Sequence, residues 1–226
     1  MTVKNKKKQE YNQLHIAKEC VHREICNANI YVKLLFDWVN GILENKDLYK
    51  NFAGMFTYIR WAIEAQYVMT LGKLFAVKSG EVGLIALIIE ARKMPDEFFE
   101  VLLGREQPFT HQQLKQARTD FLKNANSYIQ RVREINKQIN PLRNIQIAHN
   151  YPLRSSNISV TWDKTKKWIV FAEEVFVQAM DATCESTVRV GDFVPTELYS
   201  QMKHFVSIWN EMGKNQHSNK QIIERT

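Results

Sequence analysis

Residues 109–142, FTHQQLKQARTDFLKNANSYIQRVREINKQINPL, carry the longest regular hydrophobic pattern in the chain. Apolar residues recur there every three or four positions: Leu114, Ala117, Phe121, Ala125, Tyr128, Val132, Ile135, Ile139 and Leu142. Such spacing places them on one face of an α-helix. Thr110 and Gln113 match a capping box, and Phe109 and Leu114 occupy the two positions of a hydrophobic staple. The sequence therefore predicts a long amphipathic helix that begins beside Thr110.

The same spacing predicts further helices over 9–45, 50–77 and 82–89, with a turn at Ser79-Gly80. Two later helices are also expected. One carries Trp168, Phe171, Val175, Ala179 and Ala182; the other follows Pro195 and carries Leu198, Met202, Phe205, Trp209 and Met212. Only 8 Gly and 5 Pro are present, too little turn material for an all-β fold. We expect an all-α bundle of about five to seven helices, with one short strand or hairpin allowed in a late loop at SNISVTW, 156–162.

Composition indicates one domain. The chain has 226 residues, 45% of them hydrophobic and 24% charged, which is ordinary for a globular protein. The first eight residues contribute four lysines and no acid to a net charge of +7. We expect a basic flexible tail at 1–8, a single helical domain at 9–213 and a polar C-terminal tail at 214–226. No apolar run suits a membrane span or a signal peptide, so a cytoplasmic location without membrane contact is expected.

Motifs of the common enzymes and metal sites are missing from the sequence. His15, Cys20, His22 and Cys26 lie close along the chain, but they match no standard zinc spacing. No glycine-rich phosphate loop, GxSxG or HExxH occurs. Glu173 and Glu174 are adjacent, so a helix turns them about 100° apart and a solvated face is expected. Neither a metal nor a cofactor is predicted.

WDKTKKW, 162–168, alternates basic and aromatic residues, as nucleic-acid binders do. An aspartate N-cap at Asp163 before a lysine-bearing helix start explains the same letters. The sequence leaves both interpretations open.

PLRNIQIAHN, 141–150, ends the long helix and contains Arg143 and His149. Continued past Leu142, the apolar spacing brings His149 into phase, whereas Arg143 lies on the flank about 9 Å away along the axis. Pro141 could kink the helix and shift this phase, and Asn150 is a plausible stop. One interpretation makes His149 an ordinary core residue. The other brings two Arg143–His149 pairs together across a twofold axis.

LRNIQIAHN resembles the Arg-Asn…Ala-His signature of HEPN domains, in which an Arg is followed after four to six residues by a His. The layout of the chain, with a broad apolar helix around YIRWAIEAQYVMTLGKLF and two helices after the motif, is most similar to the abortive-infection U-type branch. The resemblance implies a metal-independent ribonuclease whose active site forms at a homodimer interface. It implies that Arg143 and His149 are catalytic and that Asn144 assists.

We therefore expect an RNA endonuclease that acts as a toxin in phage defence or in a toxin–antitoxin pair. Its partners would be single-stranded RNA, a second copy of the chain and a cognate antitoxin protein. The alternative is a non-catalytic helical module that binds RNA, a nucleotide or a protein.

Overall fold

The computed structural model describes residues 3–43, 46–78, 80–103, 109–149 and 161–184, together with 204, 207, 208 and 211. These ranges contain six helices: α1 (Val3–Leu43), α2 (Lys46–Leu74), α3 (Leu84–Lys93), α4 (Asp96–Leu103), α5 (His111–His149) and α6 (Trp162–Asp181). No strand occurs within them. The expected all-α fold is confirmed for this part of the chain. For some helical residues, including 145–149, only the backbone is described.

Several boundaries differ from those expected. Helix α1 begins at Val3, six residues before the predicted helix start at residue 9. Helix α4 was not predicted, because its eight residues are too few to establish a periodicity. The predicted strand at 156–162 falls mostly outside the described residues, and Trp162 opens α6 instead. The last predicted helix also lies largely outside them, although 204, 207, 208 and 211 are helical.

The predicted apolar face of α5 forms the centre of the core. Phe121, Ala125, Val132, Ile135 and Ile139 are each at most 1% exposed. Helix α5 packs on α2, α3 and α6, and α1 packs on the same three helices. The C-terminal half of α2 supplies further core residues, among them Leu71 and Leu74, and Phe75 follows directly after it. None of the described helices is both long enough and apolar enough to cross a membrane.

The starts of α5 and α6 have caps. Thr110 N donates to Gln113 Oε1 at 2.9 Å, and Gln113 N donates to Thr110 Oγ1 at 3.3 Å, which confirms the capping box. Helix α6 is capped by Thr161, whose hydroxyl accepts from Lys164 N. The predicted aspartate cap was therefore wrong. Asp163 lies in the first turn, where its charge favours the positive end of the helix dipole.

The turn between α2 and α3 depends on two glycines. Gly80 has φ +89°, in the left-handed region that favours glycine. Gly83 precedes α3 and approaches the end of α2 closely. A Cβ atom on it would lie 2.6 Å from Lys73 O, too close for any other residue. The predicted turn at Gly80 thus brings the start of α3 back to the end of α2.

Arg118 on α5 is 8% exposed and joins three other helices. Its Nη2 donates to Met94 O and to Asp96 Oδ1, each at 2.7 Å, and its Nη1 donates to Ala182 O at 3.4 Å. Met94 and Ala182 are the C-caps of α3 and α6. The guanidinium also lies 4.8 Å from the centroid of the Phe99 ring of α4. One side chain therefore fixes the ends of α3 and α6 and the start of α4 against α5.

Arg118→Met should lower the free energy of unfolding by about 2–4 kcal/mol, because two buried carbonyls lose a charged donor. Urea unfolding followed by circular dichroism measures this change. Arg131→Met is the matched control on the same helix. Arg131 is 56% exposed, and its one ion pair among the described residues is with Glu134, so the change should stay below about 0.5 kcal/mol. Equal effects of the two substitutions would contradict the role assigned to Arg118.

Candidate functional site at the end of helix α5

Arg143 lies half-buried on α5 and packs across Gly72 of α2. A Cβ atom on Gly72 would be 3.0 Å from Arg143 Cδ and 3.7 Å from its Nη1. A glycine inside a helix costs about 1 kcal/mol relative to alanine. Here it leaves room for the arginine side chain to lie against the helix backbone.

The guanidinium of Arg143 has unused hydrogen-bonding capacity. Its Nε is buried and has no hydrogen-bond partner among the residues that the structure describes. Among the described residues, no carboxylate forms an ion pair with Arg143. A planar cation without a paired acid is suited to bind a phosphate or a carboxylate of a ligand.

Two asparagines on the same face of α5 hold this part of the helix on α2. Asn136 Nδ2 donates to Phe75 O at 2.8 Å, just beyond the end of α2. Asn140 Nδ2 donates to Asn136 Oδ1 at 2.8 Å. Asn136, Asn140 and Arg143 follow the i, i+4, i+7 spacing of one helix face. This polar line was not predicted, although the sequence contains its spacing.

The other two predicted site residues follow Arg143 along α5. Asn144 is exposed, so its amide is accessible to a ligand. His149 is the last residue of α5, and its side chain lies outside the described part of the structure. The helix continues through Pro141, the position at which the sequence allowed a kink. Helical geometry then separates the Arg143 and His149 positions by about 9 Å along the axis and about 120° around it.

The cysteines and histidines of α1 form a contact but no metal site. Cys26 Sγ lies 3.8 Å from His22 Nε2, and Cys20 Sγ lies 4.0 Å from Arg23 Nη2. Among the described residues, no group of three or more His, Cys, Asp or Glu side chains is arranged to hold a metal ion. Burial, followed by the charge of Glu173, raises the pKa of the Cys26 thiol. The thiol therefore stays protonated and is a poor nucleophile.

Glu173 differs from the solvated residue that its sequence position suggested. Glu174 is exposed as expected, but Glu173 is half-buried and accepts a hydrogen bond from Asn29 Nδ2 at 2.6 Å. Burial raises the pKa of the Glu173 carboxyl; the bond from Asn29 lowers it in part, and Glu174 adds to the rise. This pair of residues joins α1 to α6.

The aromatic residues of 162–168 pack inside the bundle. Trp168 is 2% exposed, and Trp162 stacks on Tyr67 with ring centroids 5.7 Å apart. Lys166 Nζ lies 3.5 Å from the centroid of the Phe36 ring. Core packing thus accounts for the rings and for one of the lysines, without any need for a nucleic acid.

Comparison with protein-family models, with curated proteins and with solved structures gives no match to this chain.

Gly54→Ala should stabilise the protein more than Gly72→Ala does, although both glycines lie on α2. Gly54 has open space around its Cβ position, so alanine should raise the free energy of unfolding by about 0.5–1 kcal/mol. At Gly72 the same gain is offset because Arg143 Cδ, only 3.0 Å from the new Cβ, must move. Urea unfolding compares the two variants. A full stabilisation by Gly72→Ala would show that Arg143 does not pack there.

Glu173→Gln should stabilise the protein more at neutral pH than in acid. Because the folded pKa of Glu173 exceeds its unfolded value, folding takes up protons between the two values, and wild-type stability falls as pH rises through that window. The neutral glutamine avoids this loss. The gain in the free energy of unfolding over wild type, measured with urea, should therefore grow from below pH 4.5 to pH 7. The lower bound, 4.5, is the ordinary pKa of the carboxyl. A pH-independent difference would contradict the raised pKa.

Proposed function

We propose that the chain is a metal-independent endoribonuclease of the HEPN type, with a composite active site at a homodimer interface. The observation that carries this proposal is the guanidinium of Arg143, held over Gly72 with a buried Nε that has no hydrogen-bond partner in the described part of the chain. The exposed Asn144 lies next to it on the helix that ends at His149. The proposed role as a toxin in phage defence or in a toxin–antitoxin pair rests on the sequence resemblance.

The chemistry suits these side chains. A base removes the proton of a ribose 2′-hydroxyl, and the 2′-oxygen attacks the adjacent phosphorus to form a cyclic phosphate. The bond to the 5′-oxygen breaks, and an acid returns a proton to that oxygen. Histidine titrates near neutral pH and can fill either role. Arginine stabilises the negative charge that develops on the phosphorus oxygens.

A second copy of the chain is needed because one helix separates the two catalytic positions. Arg143 and His149 lie about 120° apart around α5. Two copies related by a twofold axis would each supply an arginine and a histidine to one cleft. Arginine from one copy could then act with histidine from the other.

The packing of Arg143 also favours a second candidate function, that of a non-catalytic binding module. Its aliphatic stem lies against α2, and such packing alone can explain an arginine at this position. In that case the guanidinium would bind a phosphate or an acidic partner without cleaving anything. The two functions differ in whether the chain cleaves RNA, a reaction that would require His149.

The purified protein should cleave single-stranded RNA in the presence of EDTA. His149→Ala and Arg143→Ala should each lower the rate at least about 100-fold, because one removes proton transfer and the other charge stabilisation. Gel assays of a labelled RNA measure the rate, and unfolding curves confirm that each variant is folded. Undiminished cleavage by either variant would exclude the assignment, and wild-type binding without cleavage would favour the binding module.

Mixing the two inactive variants tests the composite site. After denaturation and joint refolding, Arg143→Ala and His149→Ala chains should form mixed dimers that retain one arginine and one histidine from different copies. Partial recovery of cleavage is expected. No recovery in a sample shown by mass spectrometry to contain mixed dimers would contradict a site shared between copies.

A further inference from the structure

Large side chains are exposed in the N-terminal half of α2 and buried in its C-terminal half. Tyr58 is 70% exposed and Met55 is 49% exposed. Farther along the helix, Tyr67, Leu71 and Leu74 are at most 2% exposed. The exposed residues therefore do not belong to the core of this chain.

The exposed Met55 and Tyr58 and the half-buried Trp61 form a row, which we call the α2 ridge. Their spacing of three residues places one side chain about every 4.5 Å along the helix. The rings of Tyr58 and Trp61 meet edge to face, with centroids 5.4 Å apart and an interplanar angle of 77°. Trp61 is half-buried, so it supports the tyrosine from one side and leaves the outer ring accessible.

The charge along this helix favours an anionic partner. Lys50 and Lys73 are exposed, and the side chain of Arg60 is 38% exposed. The one acidic residue in 50–73 is Glu64, which is 4% exposed and accepts from Arg60 Nε at 2.7 Å. The exposed charges of this segment are therefore all positive. A second copy of the chain would bring like charges together, whereas a polyanion releases counterions when it binds.

The ridge leads toward the candidate site. Asn136 of α5 contacts Phe75, and Arg143 lies over Gly72, so α5 runs antiparallel to α2. Tyr58 precedes Gly72 by about 21 Å along α2, and His149 extends about 9 Å beyond Arg143 in the same direction. The backbone of His149 thus lies between the level of Arg143 and the level of Tyr58 along the axis.

We propose that the α2 ridge binds single-stranded RNA and directs it to the Arg143 end of α5, an inference that rests on the proposed ribonuclease function. Unpaired bases stack on the exposed face of Tyr58 and against Met55, and the phosphates contact Lys50 and Lys73. Stacking requires bases that are not already paired. The ridge therefore selects single-stranded over duplex RNA, with little dependence on sequence.

The test measures fluorescence anisotropy of the full chain with a 2′-O-methyl single-stranded RNA of about 12 nucleotides. The methyl group blocks attack by the 2′-oxygen, so binding is measured whether or not the chain is a nuclease. Tyr58→Ser should weaken binding about 5- to 140-fold, the range expected for loss of one stacked base. Tyr58→Phe keeps the ring and should bind within about twofold of wild type. Lys73→Gln should reduce the salt dependence by about one counterion.

Val101→Ser is the matched surface control, because Val101 is an exposed apolar residue on α4, 63% accessible, and should leave affinity unchanged. Equal binding by Tyr58→Ser and wild type, or tighter binding of duplex than of single-stranded RNA, would overturn the proposal. So would a fall in solution mass for Tyr58→Ser, since the ridge would then be a contact between copies. If the ridge variants behave as expected but wild type leaves unmodified RNA intact, the ridge stands and the nuclease function fails.

Discussion

The guanidinium of Arg118 holds the carbonyl ends of helices α3 and α6 against helix α5. Helix C-termini carry partial negative charge, so the cation of Arg118 interacts favourably with the ends of both helices. The same group bonds Asp96 at the start of α4 and lies over the Phe99 ring. Four helices therefore meet at one side chain. Its position fixes the N-terminal end of α5, a helix of 39 residues whose other end carries the candidate site.

The contacts between α5 and α2 determine the position of Arg143. Asn136 bonds the carbonyl of Phe75, and Gly72 provides the space that the arginine stem fills. The result is a cation with a buried Nε and no acid among its described neighbours. The packing of the Arg143 side chain on Gly72 limits the reorganisation that phosphate binding would need under the proposed function. That pre-organisation is what electrostatic stabilisation of a transition state requires.

The sequence predicted the features that depend on local spacing. The apolar face of α5, the Thr110–Gln113 capping box and the turn at Gly80 were all readable, because each is set by residues a few positions apart. The contacts of Asn136, Gly72 and Arg118 were not, because each joins positions 22 or more residues apart. The environment of Glu173 was unpredictable for the same reason. Its neighbour in sequence is exposed, but Glu173 is half-buried and bonds to Asn29 of α1.

By itself, the sequence determined the all-α class, the start of α5 beside Thr110 and the positions of Arg143, Asn144 and His149 along one helix. Helical geometry then separates Arg143 from His149, whatever the rest of the chain does. Only the tertiary structure decided that Arg143 lies over a glycine of α2 and that Met55 and Tyr58 remain outside the core. Hydrophobic spacing specifies which face of a helix is apolar, but packing between distant helices decides which part of that face is buried.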